Sequence, residues 1–567
     1  MVDERVSAPT ESCRKLKRLE MAWCEATTFG DLLVRSAERY GSKEAVVVQD
    51  DRRSFEGLLE SAIQAGRSLL GLGVGRGDAV GILMPNCIDF VEVMFGGALI
   101  GARVVPINAR FKDRELAYLI ENADLTILLT SDIVDQHTDY VEILDSCLPG
   151  LSEASDPTTL RLDLAPKLKS VVMLGNSSPA GMVDRERFEL LAGSVTDEDV
   201  HRLRTRIAIR DIAMMMYTSG TTADPKGCPT THEALVRTAV TGCRNCFELT
   251  TEDRFWDPLP LFHMSAILPL IGCIDAGSTY ITLTHVEPGA SIRQLRDEAC
   301  TFSFSTFPTV TNAILDHPDW DPKEFTQIRA WTNVSSPDGL RELHKRLPDS
   351  RHLNAYGCTE IGGVACFTRP DDPPETWATT SGPPFDGIEI EVRDIETGQP
   401  VGVGERGLIW SRGYNLFEGY HKDEAKNAES FDDDGWFCTG DIGAMDPEGR
   451  VSYLGRVKDM LKVGGENVAA VEIESLLQTH PSVSIAQVVA VPDAKYVEVP
   501  VAYVELRPDC ETTEKEVIDY CDGKIARFKI PRHVRFISAN EWPMSATKIQ
   551  KFRLQDRFAE EQHASSG

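Results

Sequence analysis

Between residues 44 and 130, short apolar runs alternate with longer amphipathic ones, and this alternation restricts the fold more than any other feature of the chain. "EAVVVQ", "DAVGILM", "RVVPI" and "LTILLT" have the length and composition of strands. Between them, "FEGLLESAIQAGRSLLGLG", "CIDFVEVMFGGALIG" and "DRELAYLIENA" carry apolar residues at helical spacing, with Ser54 placed to cap the first. Strands separated by helices of this length predict right-handed βαβ units and parallel sheet. The glycines of "GLGVGRGD" follow a helix and precede a strand, the reverse of a dinucleotide-binding fingerprint. They read as a helix C-cap and turn.

The texture changes further along. Residues 135 to about 168, with "LPGLSEASDPTT" at their centre, lack periodicity and read as a surface excursion. From about 380 to 455, short β-rich segments broken by Gly, Pro and Asp predict a small β-subdomain. "FDDDGW" within it lacks the twelve-residue spacing of a calcium loop and reads as a turn. The remainder again mixes strands and helices. At 567 residues the chain is too long for one core.

Charge and cysteine usage exclude several classes of function. A net charge of −29 disfavours nucleic acid and anionic membrane surfaces, so any phosphate ligand needs a local site. Fourteen scattered cysteines do not form a disulfide framework, and the single C-x-x-C pair, Cys243 and Cys246, lacks the second pair a zinc site requires. The first twenty residues lack the apolar core of a signal peptide, and no uncharged apolar run approaches the roughly 18 residues of a membrane span. The expected location is a reducing cytoplasm.

One stretch points to chemistry: "MMMYTSGTTADPKGCPTTH", residues 214–232. An apolar strand ends in Thr218, Ser219, Gly220, Thr221 and Thr222, and Lys226 follows. Backbone N–H groups, hydroxyls and one compact positive charge suit phosphate oxygens. Gly227 follows the lysine where a Walker A loop needs Ser or Thr, so a P-loop NTPase is disfavoured.

Four further stretches follow in order: "YGCTE" (356–360), "TGD" (439–441), "GRVKDMLKVGGENVAAVEIE" (455–474) and "PMSATKIQK" (543–551). With "YTSGTTADPKG", this series resembles the adenylate-forming superfamily of acyl- and aryl-CoA synthetases, peptide-synthetase adenylation domains and firefly-type luciferases. The resemblance runs from about residue 28 to 555 and is nearest in texture to the carboxylate–CoA ligases. It implies two half-reactions. A carboxylate attacks the α-phosphorus of ATP to give acyl-AMP and pyrophosphate, and coenzyme A then displaces AMP to form a thioester.

The resemblance also assigns roles. The loop from Thr218 to Lys226 would hold the β- and γ-phosphates, with Ala223 where relatives usually have Gly. Tyr356 would lie against adenine, the backbone around Asn354, Ala355 and Gly357 would border it, Thr359 would touch phosphate and Glu360 would hold Mg2+. Asp441 and Arg456 would bind the ribose. Lys548 would bridge carboxylate and α-phosphate, with Lys551 a competing assignment because the glycine usual before the lysine is missing. The implied fold has an N-terminal domain, 1–457, built of βαβ-type sheets plus the β-subdomain. A small mobile α+β C-terminal domain, 458–567, would turn on a hinge at Lys458 and present Gly464 and Gly465 to coenzyme A.

"PLFHMSA" bears on the acid. Amino-acid-activating relatives place Asp where His263 falls, so no anion is offered to a substrate ammonium; His263 reads as a gate to the thiol tunnel. Trp331, Ser335 and Ser336, in a loop that departs from the usual Gly-Gly-Ala-Pro, are candidate acyl-pocket residues, with Phe302, Phe304 and Phe307 as further apolar candidates. The expected activity is ATP-dependent formation of an acyl-CoA from a fatty or other hydrophobic acid. Aryl or steroid-type acids, delivery to a carrier protein, luciferase-like oxygenation and a non-catalytic ligand-binding role are the rivals. The expected partners are the acid, ATP and coenzyme A, without nucleic acid or integral membrane association; a homodimer is compatible with this.

Overall fold

Two largely parallel sheets form the greater part of the molecule in a computed structural model that describes residues 27–218, 224–463, 466–493, 496–545 and 548–565. The six-stranded sheet runs Ser170–Met173, Leu125–Thr130, Ala79–Leu83, Arg103–Pro106, Ile212–Thr218, Lys226–Thr231, parallel until the last strand turns back as a hairpin. Its strands Ala79–Leu83 and Leu125–Thr130 are buried along their whole length and largely apolar, as cover on both faces requires. Helices Phe55–Gly71 and Ile88–Ile100 pack so closely that a Cβ at Gly96 would lie 2.8 Å from that of Ala65. Ser54 caps the first of these helices, accepting from Gly57 N–H at 3.0 Å. Gly73 and Gly77 adopt positive φ in the turn after the helix, as read.

The strand "EAVVVQ" departs from expectation. Glu44–Val48 pairs with Thr279–Thr282 in a separate seven-stranded sheet and turns back at once into Asp51–Ser54. Periodicity shows that a strand precedes a helix; it cannot show which distant strand completes its ladder. Residues 135–168 also differ from the surface excursion expected. They include helix Tyr140–Cys147, and Leu144, Leu148, Leu151, Leu160, Leu162 and Leu168 are buried against Leu128 and Val171. Leucines spaced irregularly around turns carry no period to read.

The predicted β-rich region is a four-stranded antiparallel sheet, Ile388–Arg393, Gly407–Gly413, Phe437–Met445, Val451–Arg456. Within it "FDDDGW" is a turn in which Asp432 accepts from Asp434 and Trp436 N–H. A five-stranded sheet follows, with Met460–Val463, Val483–Asp493 and Val497–Leu506 covered by helices Ala470–Gln478 and Glu514–Cys521. Cys243 and Cys246 are buried free thiols. Among the described residues no helix is long and apolar enough to cross a membrane.

One contact ties the start of the fold to the hairpin. His232 opens helix His232–Asn245, and its Nδ1 accepts from Phe29 N–H at 3.1 Å. Burial pushes its pKa down to about 4, against weaker upward pulls from Asp211 and Asp31, so the ring is neutral and its lone pair free to accept. As pH falls below the unfolded value of 6.5, the unfolded chain takes a proton that the folded one refuses until about 4. Stability present at neutral pH is therefore lost across that window. The melting midpoint should fall between pH 7 and 5, and less steeply in His232→Asn, which keeps an acceptor but cannot be protonated. His352, also lowered to about 4 by burial, supplies a residual slope. Thermal melts at pH 7, 6 and 5 check this, and equal slopes in both proteins would refute it.

Candidate active site

The hairpin places Thr218 opposite Lys226 at its open end. Ser219, Gly220, Thr221, Thr222 and Ala223 lie outside the described residues. What positions the lysine is a segment far away in sequence. His421 and Glu418 N–H donate to the carbonyls of Gly227 and Pro229, at 2.9 and 3.0 Å, along the lysine's own strand. Phe417 N–H donates to the carbonyl of Glu360 at 2.9 Å, so the same segment also grips the "YGCTE" turn. Between these anchors Tyr420 joins the two charges. Its hydroxyl donates to Glu360 Oε1 at 3.0 Å, and Lys226 Nζ stands 5.2 Å from its ring centroid.

A second group lies beside the first. Asp441 and Arg456 are partners across two antiparallel strands. Arg456 Nε donates to Asp441 Oδ1 at 2.9 Å, and the Tyr356 hydroxyl donates to Oδ2 at the same distance. Both Asp441 oxygens are thus engaged, and the residue is 2% exposed. Tyr453 stacks on Tyr356 with centroids 6.0 Å apart. Burial and then the Asp441 charge hold the Tyr356 phenol well above its ordinary pKa. Burial opposes the charge on Arg456, but Asp441 together with Tyr453, Cys358 and Glu360 outweighs it and the guanidinium stays ionised. Burial, reinforced by Glu360, keeps the neighbouring thiols Cys228 and Cys358 protonated.

The remaining expected residues divide. Gly357 has no room for a side chain: a Cβ would meet Gly363 O at 2.4 Å, so the turn packs on the backbone that follows. Thr359 begins the short 3-10 turn Thr359–Ile361 that carries Glu360. His263 is the N-cap of helix Met264–Ala276, edge-on to Phe262 at 4.9 Å, and Met264 packs under Gly363. This brings the histidine loop beside the "YGCTE" segment.

Three of the expected residues have side chains engaged within the fold. Asn354 is a brace: its amide donates to Trp377 and Thr380 carbonyls, its Oδ1 accepts from Ala355 N–H, and its own N–H donates to Thr368 Oγ1. The Asn354 side chain thus braces the backbone that was expected to border adenine. Trp331 is core, 1% exposed and edge-on to Trp320, on the sheet face opposite Phe302 and Phe304. Ser336 caps helix Pro337–Arg346, accepting from Gly339 N–H and donating to Gln478 Oε1, both at 3.2 Å. Of that loop Ser335 is half-buried just before the cap. Phe302 and Phe304 belong to an aromatic cluster with Phe247 and Phe255, while Phe307 is only half-buried.

In the C-terminal part, Lys458 is exposed in the 3-10 turn Val457–Asp459, between the strand of Arg456 and the last sheet. Gly464 and Gly465 lie outside the described residues. For Lys548 the backbone alone is described, in a two-residue strand paired with Met544–Ser545. Lys551 pairs with Glu474 at 2.6 Å, and that carboxylate also accepts from Val488 N–H. Both line a cavity of about 210 Å³ shared with Tyr453, Arg456, Asp459 and Val471.

A cation and a half-buried carboxylate at one end, and a buried carboxylate held by Arg and Tyr at the other, suit a ligand with an anionic end and a hydroxylated end. Sequence reading missed Tyr420 and Tyr453. Tyr420 lies in "EGYHKDE", whose only signal is a glycine before an aromatic residue.

The pattern described as AMP-binding enzyme matches residues 33–421, more than half of the chain, and the pattern of the AMP-binding enzyme C-terminal domain matches residues 472–548. The chain is 34% identical to YngI of Bacillus subtilis, provisionally named an acyl-CoA synthetase, over 95% of itself and 98% of that protein. It is 30% identical to a mitochondrial medium-chain acyl-CoA ligase of Danio rerio, over 98% and 92%. Its fold superposes on the anthranilate CoA ligase AuaEII in complex with anthranoyl-AMP with a TM-score of 0.79 and 26% identity, covering 95% and 98% of the two chains.

Asp441→Ala would leave a guanidinium and a phenol without their shared partner. Removing one member of a fully buried pair costs about 3–5 kcal/mol. Because the Arg456 side chain keeps 37% exposure, a smaller loss of about 2 kcal/mol is expected. Asp441→Asn, which keeps an acceptor for Tyr356, should lose less. Denaturant melts rank the two, and an equal loss would show that the charge carries the whole effect.

Proposed function

The chain belongs to the family of AMP-binding enzymes, and on that premise we propose that it converts a hydrophobic carboxylic acid of medium length to its coenzyme A thioester. Acyl-AMP formation followed by transfer to coenzyme A is the activity its acyl-CoA synthetase relatives indicate. The observation that carries the reading is the meeting of Lys226 and Glu360 on Tyr420, next to Asp441 with Arg456. In adenylation two anions must approach, so the lysine faces the β- and γ-phosphates and screens them. Asp441 is acceptor-only and accepts from the ribose hydroxyls, exchanging them for its present donors. Tyr356 and Tyr453 offer aromatic faces to adenine.

Glu360 is the carboxylate that would hold Mg2+, which would lower the charge the acid must approach. Among the described residues no group of three or more potential metal-ligating side chains competes for this role. Lys548 neutralises charge between acid and α-phosphate, and Lys551 anchors its segment through Glu474. The exposed turn at Lys458 is the hinge on which the C-terminal part turns between the two half-reactions. Free thiols at all twelve cysteines of the described residues support a reducing cytoplasm.

The choice of acid rests on His263, which lies between apolar Phe262 and Met264 where an amino-acid site needs an anion. The medium-chain relative supports the length. An aromatic acid is the second reading, favoured by the similarity to the anthranilate ligase. Measuring AMP release with ATP, coenzyme A and a panel of fatty, aryl and steroid-type acids decides between them. We expect the highest kcat/KM for straight-chain acids of medium length, and a value at least about tenfold lower for matched acids bearing an α-ammonium group, since a buried charge without a partner costs more than the ~1.4 kcal/mol that a tenfold change requires. A preference for the amino acid would overturn the reading.

Lys548→Ala should slow acyl-AMP formation by about a hundredfold or more, the usual cost of removing one transition-state charge contact. It should still turn supplied acyl-AMP and coenzyme A into thioester. Single-turnover assays of each step test this. Equal loss in both steps would reject the assignment, and normal adenylation would redirect attention to Lys551.

A further inference from the structure

We propose that Tyr420 is a positioning residue of this site: its hydroxyl sets the direction of the Glu360 carboxylate while its ring confines the Lys226 ammonium. The proposal rests on the reading of Glu360 as the carboxylate that holds the divalent cation of the metal–ATP complex.

The geometry supports it from both sides of the ring. Tyr420 is 9% exposed and cannot swing, because its face packs edge-on against Phe417 at 4.9 Å. Its backbone is clamped by one side chain. Tyr420 N–H donates to Asn427 Oδ1 at 2.6 Å, and Asn427 Nδ2 donates back to the Tyr420 carbonyl at 3.0 Å. A ring held at both ends presents its hydroxyl at a fixed point, 3.0 Å from Glu360 Oε1. An ionised carboxylate has no proton to give, so the phenol donates and Glu360 accepts.

Glu360 and Lys226 are flexible side chains that otherwise lose rotamer freedom when a ligand arrives. Holding one carboxylate oxygen leaves the second directed at the ligand. The ring face, 5.2 Å from Nζ, keeps the ammonium on the same side. Preorganised charge needs no rearrangement when the substrate binds. A purely structural role predicts something else. A hydroxyl that only satisfies a half-buried carboxylate would, on removal, lower stability without altering the response to metal.

Calorimetric titration of ATP, with saturating Mg2+ and with EDTA, separates these cases. The proteins are the wild type, Tyr420→Phe, Tyr420→Leu and Glu360→Gln. In Tyr420→Phe we expect ATP affinity with Mg2+ to fall about tenfold, as for loss of one hydrogen bond to a charged group, and affinity in EDTA to stay within about twofold. Tyr420→Leu, which also removes the ring from Lys226, should lose affinity in EDTA as well. The Mg2+ concentration giving half-maximal acid-dependent ATP–pyrophosphate exchange should rise in parallel. An unchanged metal dependence in Tyr420→Phe, or an equal loss with and without metal, overturns the proposal. If wild type and Glu360→Gln both bind ATP equally with and without Mg2+, the reading of Glu360 itself falls, and the proposal with it.

Discussion

Residues 417–421 donate backbone hydrogen bonds in two directions, to the strand that begins at Lys226 and to the turn that carries Glu360. Neither partner is near the segment in sequence, and the two are not near each other. Each of these bonds contributes little alone, about 1 kcal/mol. Together they fix the separation between an ammonium and a carboxylate that the rest of the site takes as given. The buried Asp441–Arg456 pair is tied to the same place, because Tyr356, its third member, lies in the "YGCTE" turn that this segment grips.

The overall charge makes this local order necessary. At −29 the molecule offers a nucleotide triphosphate no general attraction, and screening over about 8 Å leaves only charges near the site to act on it. Affinity must then come from a few cations held close to their targets. Arg456 remains charged despite its burial because Asp441 stands beside it, and the thiols of Cys228 and Cys358 remain neutral. Charge is permitted where it is paired and suppressed where it is not.

How much of this was readable depends on the range of the interaction. Ser54 as a cap, the glycine turn after its helix, and the alternation of strand and helix are local, and they were legible because each depends on neighbours within a few residues. The ordered motifs located Lys226, Glu360, Tyr356, Asp441 and Arg456, and the structure brings these five together. The structural parts played by the Asn354, Trp331 and Ser336 side chains were not legible, for one reason. Each sits beside a site residue in sequence while its side chain points into a brace, a core and a cap. Chain proximity says nothing about which face of a strand a side chain occupies. Tyr420 stayed hidden because its significance depends on residues 60 and 194 positions away.

The pairing along Lys226–Thr231 has a consequence outside ligand binding. That strand is the last of the six-stranded sheet, and its outer rim is where an unpaired backbone would invite another chain to add on. Pro229 already withholds one donor there, and Glu418 and His421 occupy the carbonyls of Pro229 and Gly227. The segment that sets the site's charges thus also covers the margin of this sheet. Damage that loosens it would cost the protein its ligand and its resistance to self-association at the same moment.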